Sequence, residues 1–377
     1  ALPISALSGL GGVGKTQIAL EYAYRHEAEY KHIFWVGAEQ PDDLLSGYRA
    51  IAKALQIPGC QHEDAQLVAN LMKHWLSNHE GWLLVLDSAD DLRLVRTFLP
   101  PSRGHLLLTT QAQALGDLAV PIVVTPMDES EGPQLLLRRA RIIASDAESS
   151  DVSDSDQVAA QVLNDAMDGL PLALNQAGAY IEEQQLNLEE YCELFQSEKG
   201  ALLRERGQLD SNHPSVTITF SLAFEKVAEV NPAAADLIRA CAFLSPDAIP
   251  EEIFTDGAVA FATPLSTLAE SKLALREAIG EATRFSLMSR NPQSKYLTLH
   301  RLVQNVLRFE MDIDAQLQWV QCLVEAVMVV FPHAEYENWD QCARLISHGK
   351  ILASFADEYS VETEEIARLC HRIGYFL

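Results

Sequence analysis

The chain has 377 residues, 48% of them hydrophobic, and a formal net charge of −25 at pH 7. That length is more than one ordinary core needs, so roughly two to four domains are expected. With so large an acid excess there is no basic field to neutralise phosphates, and a nucleic-acid partner is not expected.

No apolar run reaches the length that crosses a bilayer, and no signal peptide is visible, so no membrane partner and a cytoplasmic location are expected. The six cysteines lie far apart with no C-x-x-C pair, which fits reduced and mostly packed thiols. The 11 histidines show no zinc-ligand spacing. The sequence opens at Ala1 directly on a strand pattern, without an initiator Met, and reads as a fragment of a longer chain.

The first element is an apolar run, Ile4 to Leu7, followed by Gly9 to Thr16, GLGGVGKT. These eight residues fit the phosphate-loop pattern G-x-x-x-x-G-K-[ST]. A helical pattern follows, with Ile18, Ala19, Tyr22, Ala23 and His26 on one face. Strand, glycine turn and helix form the context that makes this motif a nucleoside triphosphate site. Gly9, Gly11, Gly12 and Gly14 allow backbone N–H groups to turn towards a phosphate, with Val13 between them. The start of the helix, through Gln17, directs its positive end at the same anion. Lys15 would reach the phosphates catalytically, and Thr16 would bind Mg²⁺.

Four more short apolar runs follow at helix-length intervals: His32–Val36, Trp82–Leu86, 104–109 and Val120–Val124. Apolar on both faces, they read as a buried five-stranded parallel sheet, with the ligand at the carboxyl ends of the strands. Asp87, after WLLVL, is the expected second acid of the Mg²⁺ site. The residue after it is Ser88, so the water-polarising acid is sought at Asp90 or Asp91, which serve equally well as caps of a helix from Leu92. The strand LLLTTQ ends in two hydroxyls and an amide, Thr109, Thr110 and Gln111, candidates for sensing a γ-phosphate.

Beyond residue 127 the pattern becomes helical. One helix is expected over Glu129–Ile143, a solvated Ser/Asp loop over Ala144–Gln157, and further helices through Met167 and over Leu172–Glu183. Turn chemistry at Asp210–Pro214 marks a boundary. Three helical stretches and a hairpin over Ser286–Arg290 and Lys295–Leu299 then suggest a small winged helix. Only helices are expected from Asp312. The domains are therefore placed at 1–127, 128–209, 210–311 and 312–377.

In this order GLGGVGKT, LLVLDSADD, LLLTTQ, Gly169–Leu174 (GLPLAL) and Leu299–Gln304 (LHRLVQ) resemble the NB-ARC branch of the STAND signalling ATPases. The likeness is to bacterial members whose core continues into tetratricopeptide repeats. It implies a phosphate-loop α/β domain, a helical domain, a winged helix and the start of a helical repeat region that senses another protein or ligand. It also implies ADP in a closed state, exchange for ATP with self-association, and slow hydrolysis as the reset. By that resemblance Pro171 and Leu172 lie near the adenine and ribose, and His300 touches the β-phosphate of ADP. No guanine-reading N-K-x-D is present, so adenine is preferred. Gln111 stands where the family often has Arg, and Arg301 where it has an acid, which points to weak γ-phosphate sensing and feeble ATPase activity. The family's adenine-contacting segment ahead of the first strand is missing from this sequence. Alternative readings are an AAA+-like motor or loader ATPase, or a DNA-binding regulator with a structural nucleotide site.

Overall fold

The run ahead of the glycine loop forms β1 (Ile4–Ser8), and the next four runs form β2 (His32–Gly37), β3 (Trp82–Asp87), β4 (His105–Thr110) and β5 (Val120–Val123). This computed structural model describes residues 4–100, 104–112, 114–144, 152–206, 214–333, 338–359, 361 and 363–376. It contains two compact units, residues 1–126 and 127–376.

In the first unit the strands make one parallel sheet in the order β2-β3-β4-β1-β5. Its centre is as apolar as expected: Trp82 to Leu86 are all buried, as are Leu106 to Leu108. One face is covered by α2 (Pro41–Ala54), α3 (Ala65–Asn78) and α4 (Leu92–Phe98), which bring Leu44, Tyr48, Met72 and Leu76 against Trp82, Leu84 and Leu86. The polar ends of the large aromatics are satisfied there. The Tyr48 hydroxyl donates to the Phe98 carbonyl at 2.8 Å, and the Trp82 indole N–H to the carbonyls of Leu76 and His79.

Two expectations for this unit, and one for the whole chain, need correction. The edge strands are not buried on both faces: every residue of β5 is exposed, and β2 buries only Val36. Each edge strand has a single neighbour, which periodicity alone does not reveal. On α1 (Lys15–Arg25) the buried stripe is only Ala19 and Ala23, set against Leu7, Leu83, Val85 and Leu107. Ile18 and Tyr22 are exposed, because one i, i+4 pair of small residues brings the helix backbone close to the sheet. The thiols are also less packed than expected: Cys241 and Cys342 are buried, Cys60, Cys192 and Cys322 half-buried, and Cys370 exposed.

The second unit is helical. Asp128 starts α5 (Glu131–Arg139) by accepting from the backbone N–H of Ser130 and Glu131, at 2.8 and 2.9 Å. The helix is shorter than the expected 129–143, since Arg141 takes a left-handed φ of 54° just beyond its end. Residues 145–151 of the expected Ser/Asp loop lie outside the described residues. Its tail is helical, because Ser153 caps α6 (Asp154–Ala166) through the Asp156 N–H. Then come α7 (Pro171–Gln184) and α8 (Leu188–Arg206), the latter unforeseen although Leu188, Tyr191 and Phe195 recur at helical spacing and are buried. Of the expected boundary, 210–213 lies outside the described residues and Pro214 begins α9 (Pro214–Val230).

There follow α10 (Pro232–Cys241), β6 (Ile249–Pro250), α11 (Glu252–Thr255), α12 (Lys272–Arg284), β7 (Ser289–Asn291), β8 (Tyr296–Thr298) and α13 (Arg301–Glu310). The strands form an antiparallel sheet, β6-β8-β7, one strand more than the expected hairpin. β7 starts later than expected because Leu287 and Met288 turn into the core. The last helices are α14 (Ile313–Val330), α15 (Trp339–Glu358) and α16 (Glu364–Phe376).

By length and composition alone α14 meets the test for a membrane-crossing helix, contrary to the expectation that no stretch approaches it. Its Val320, Leu323, Val324 and Val327 are buried within this unit, where it packs on α15 and α16, while 33% of the helix is buried in all. On α15, His348 is fully buried. Its Nδ1 accepts the Ser245 N–H and its Nε2 meets the Ala248 carbonyl, both at 3.2 Å, so the neutral ring ties α15 to the segment before β6.

Candidate functional site

The phosphate loop leaves β1 at Ser8 and enters α1 at Lys15. Gly14 is the residue ahead of the helix, with φ 97°, a left-handed angle that a side chain would strain. No side chain caps α1, and its first turn carries no acid. An uncapped helix start behind a glycine turn suits a phosphate group, and the residues here fit one. Val13 is buried and anchors the loop, Gly11 is buried and Gly12 partly so, while Thr16 and Gln17 are exposed at the helix mouth. The Lys15 ammonium donates to the carbonyls of Gly9 and Leu10, at 2.9 and 2.8 Å.

A chain of hydrogen bonds links α1 to two strands, β3 and β4, next to this loop. The Thr16 hydroxyl donates to Asp87 Oδ1 at 2.9 Å, and the Thr109 hydroxyl donates to the same oxygen. Thr109 also accepts the Ser88 N–H at 2.8 Å, and its carbonyl accepts the Ala89 N–H at 2.8 Å. Ser88 is held at φ 61° by these bonds. Thr16 and Asp87 are thus together, as a shared Mg²⁺ shell requires. Thr109, one of the two hydroxyls that end LLLTTQ, is thereby committed to Asp87 and the Ser88 N–H.

The two remaining acids divide their tasks. Asp91 caps α4, accepting from the N–H groups of Arg93 and Leu94. Asp90 instead accepts from the Thr110 hydroxyl at 3.0 Å and the Gln111 N–H at 2.6 Å. Thr110 is buried and its hydroxyl is committed to Asp90, whereas Gln111 is exposed.

In the second unit Pro171 is the first residue of α7, partly exposed like Leu172. Gly169, two residues earlier, has φ 60°, and its carbonyl accepts the Met127 N–H at 2.9 Å. His300 is exposed and caps α13, its Nδ1 accepting the Leu302 N–H at 3.2 Å. That bond places the proton of the neutral ring on Nε2, which narrows the expected donor to one nitrogen.

A parallel sheet with this loop after β1 and this carboxylate at the end of β3 defines a phosphate-loop NTPase fold. Compared with known proteins, the chain is 27% identical to a nucleotide-binding leucine-rich repeat (NLR)-like protein of Hyaloscypha variabilis, over 98% of this chain and 39% of that protein. It is 33% identical to the regulatory protein AfsR of Streptomyces coelicolor over 31% of this chain and 12% of that protein. The crystal structure of a STAND protein with a tetratricopeptide repeat sensor from Pyrococcus horikoshii matches all of this chain and 51% of its own, with TM-score 0.54 and 11% identity. Residues 224–316 match a family model described as a domain of unknown function (DUF7779). These comparisons agree with the resemblance to the NB-ARC/STAND class of phosphate-loop signalling NTPases, and the solved structure shares the fold. The chain spans well under two thirds of the first two full-coverage relatives. The Aeropyrum pernix ORC1 protein, solved in complex with DNA, matches 84% of this chain and 88% of its own at 16% identity and TM-score 0.33.

Proposed function

We propose that the chain is a nucleotide-controlled signalling switch. ADP favours a closed, autoinhibited arrangement, exchange for ATP favours self-association, and slow hydrolysis resets it. The observation that carries this reading is the bonded set Thr16–Asp87–Thr109 beside an uncapped phosphate loop, which is built to hold a metal-bound phosphate. Lys15, the loop N–H groups and Gln17 hold the phosphates. Thr16 and Asp87 would hold Mg²⁺, which would supply positive charge against the phosphate oxygens. In this reading residues 128–209 are a helical domain, 210–311 a winged helix and 312–377 the start of a cytoplasmic sensor of helical repeats. Pro171 and Leu172 face the adenosine, and His300 donates from Nε2 to the β-phosphate of ADP. The residues of a working ATPase are fewer: Ser88 follows Asp87, and Gln111 brings no charge.

The test is the nucleotide that co-purifies and its rate of release. The parent is expected to carry ADP. His300→Ser retains a cap for α13 and removes Nε2, so ADP release should rise by roughly tenfold to a hundredfold, the value of one hydrogen bond to a charged group. Release at the parent's rate would remove His300 from the clamp.

A further inference from the structure

Asp90 stands where a water-polarising acid was sought, yet its geometry is that of a brace. Oδ1 accepts two donors from one peptide step of β4, the Thr110 hydroxyl at 3.0 Å and the Gln111 N–H at 2.6 Å. The Thr110 hydroxyl in turn accepts the Ala112 N–H at 3.0 Å, so the turn beyond β4 is tied down as well. The strand register ends by pairing Thr110 with Ser8, the residue before the phosphate loop, and Gln111 is the first residue past that pair. The Asp90 backbone is itself fixed, its N–H donating to the Ser88 carbonyl at 3.0 Å while Ala89 bonds to Thr109.

We propose that Asp90 is a positioning residue: through Oδ1 it holds the Thr110–Gln111 peptide at the carboxyl end of β4, next to the strand that enters the phosphate loop, and it thereby determines how well the site distinguishes a nucleoside triphosphate from a diphosphate. The inference rests on the nucleotide-binding reading given above. An exposed carboxylate with two donors on one oxygen acts here as a hydrogen-bond acceptor, and an amide oxygen serves that purpose equally well. A general base, by contrast, needs the charge.

Asn and Ala at this position therefore separate the two roles. Binding of Mg-ADP and of the Mg complex of a β,γ-imido ATP analogue is measured by calorimetry for the parent, Asp90→Asn and Asp90→Ala, alongside single-turnover hydrolysis of ATP across pH. Asp90→Asn is expected to keep the parent's triphosphate-to-diphosphate ratio and its hydrolysis profile. Asp90→Ala is expected to shift that ratio by about tenfold with ADP affinity within about threefold, as for loss of a charge-assisted hydrogen bond near one phosphate. Hydrogen exchange at the Gln111 amide should quicken in the Ala variant only, with exchange in the strand core as the control for folding. An Asn variant that fails like the Ala variant would show that the charge matters and overturn the proposal. So would an Ala variant with an unchanged ratio. If the parent bound neither nucleotide, the nucleotide reading itself would fall and carry this inference with it.

Discussion

Gly169→Ala provides the sharpest test of how the second unit begins. Gly169 sits at φ 60°, and a Cβ built there lies 2.2 Å from the Met127 carbonyl oxygen, a contact no real side chain makes. Holding Ala in the left-handed region costs roughly 1–2 kcal/mol. Moving the Met127 carbonyl away also strains the bond from the Met127 N–H to the Gly169 carbonyl, worth about 0.5–1.5 kcal/mol. Ala stiffens the unfolded chain and returns about 0.4–1 kcal/mol. The net loss expected is about 2 kcal/mol in the second unit. Gly116→Ala is the matched control: its φ is 58°, yet nothing lies within 4 Å of the added carbon. It should lose only about 0.5–1 kcal/mol, and in the first unit. Because two units need not unfold together, each is followed by hydrogen exchange of its own amides in urea. If Gly169→Ala lost no more than Gly116→Ala, the carbonyl contact would not be the constraint, and the reasoning from close approach would fail.

Two further outcomes are expected. Burial depresses the pKa of His348 to about 4, from an ordinary value of 6.5, against a weaker upward pull from its hydrogen bond to the Ala248 carbonyl. The folded pKa is the lower one, so the unfolded chain binds the extra proton between those values. Stability is full above pH 6.5 and falls on the order of 3 kcal/mol as the pH drops to 4. His348→Gln should flatten that part of the curve in urea unfolding measured from pH 4 to 7, and a parent-like slope in the variant would assign the loss to carboxylates instead. At the candidate site, Asp87→Ala should destabilise the first unit by about 1–3 kcal/mol, because it strips the buried Thr109 hydroxyl of its acceptor. Asp87→Asn keeps an acceptor, so it should spare stability while weakening Mg-dependent nucleotide binding in calorimetry; equal loss of stability in both variants would refute this division.

Much of the first unit was legible because its signals are local. A glycine loop between an apolar strand and a helix, and a carboxylate closing WLLVLD, are fixed by residues a few positions apart. The burial of β2 and β5 was not legible, since edge position depends on a strand order that inserts β4 between β1 and β3. The roles of Asp90 and Asp91 were interchangeable in sequence. They separate only because the helix start lies one residue after Asp91, while Asp90 faces the end of a strand some 20 residues away. In the second unit the helix ends slipped where a left-handed residue such as Arg141, or a cap such as Ser153, cut across an unbroken pattern. The two-residue strand β6 is too short for any periodicity to show, and its place comes from pairing with Tyr296 and Leu297.

The β1–β5 pairing gives the first unit an unusually direct exit. Ser8 pairs with Val123, and the Val124 N–H bonds back to the Ser8 carbonyl at 2.7 Å. A Cβ on Gly9 would lie 2.4 Å from the Val124 carbonyl, so the first peptide of the phosphate loop and the last of this strand are in contact. Three residues later the chain is already in the second unit. The phosphate loop and the segment that leaves the first unit therefore share one backbone contact, at the end of a strand that pairs only with β1 in its sheet.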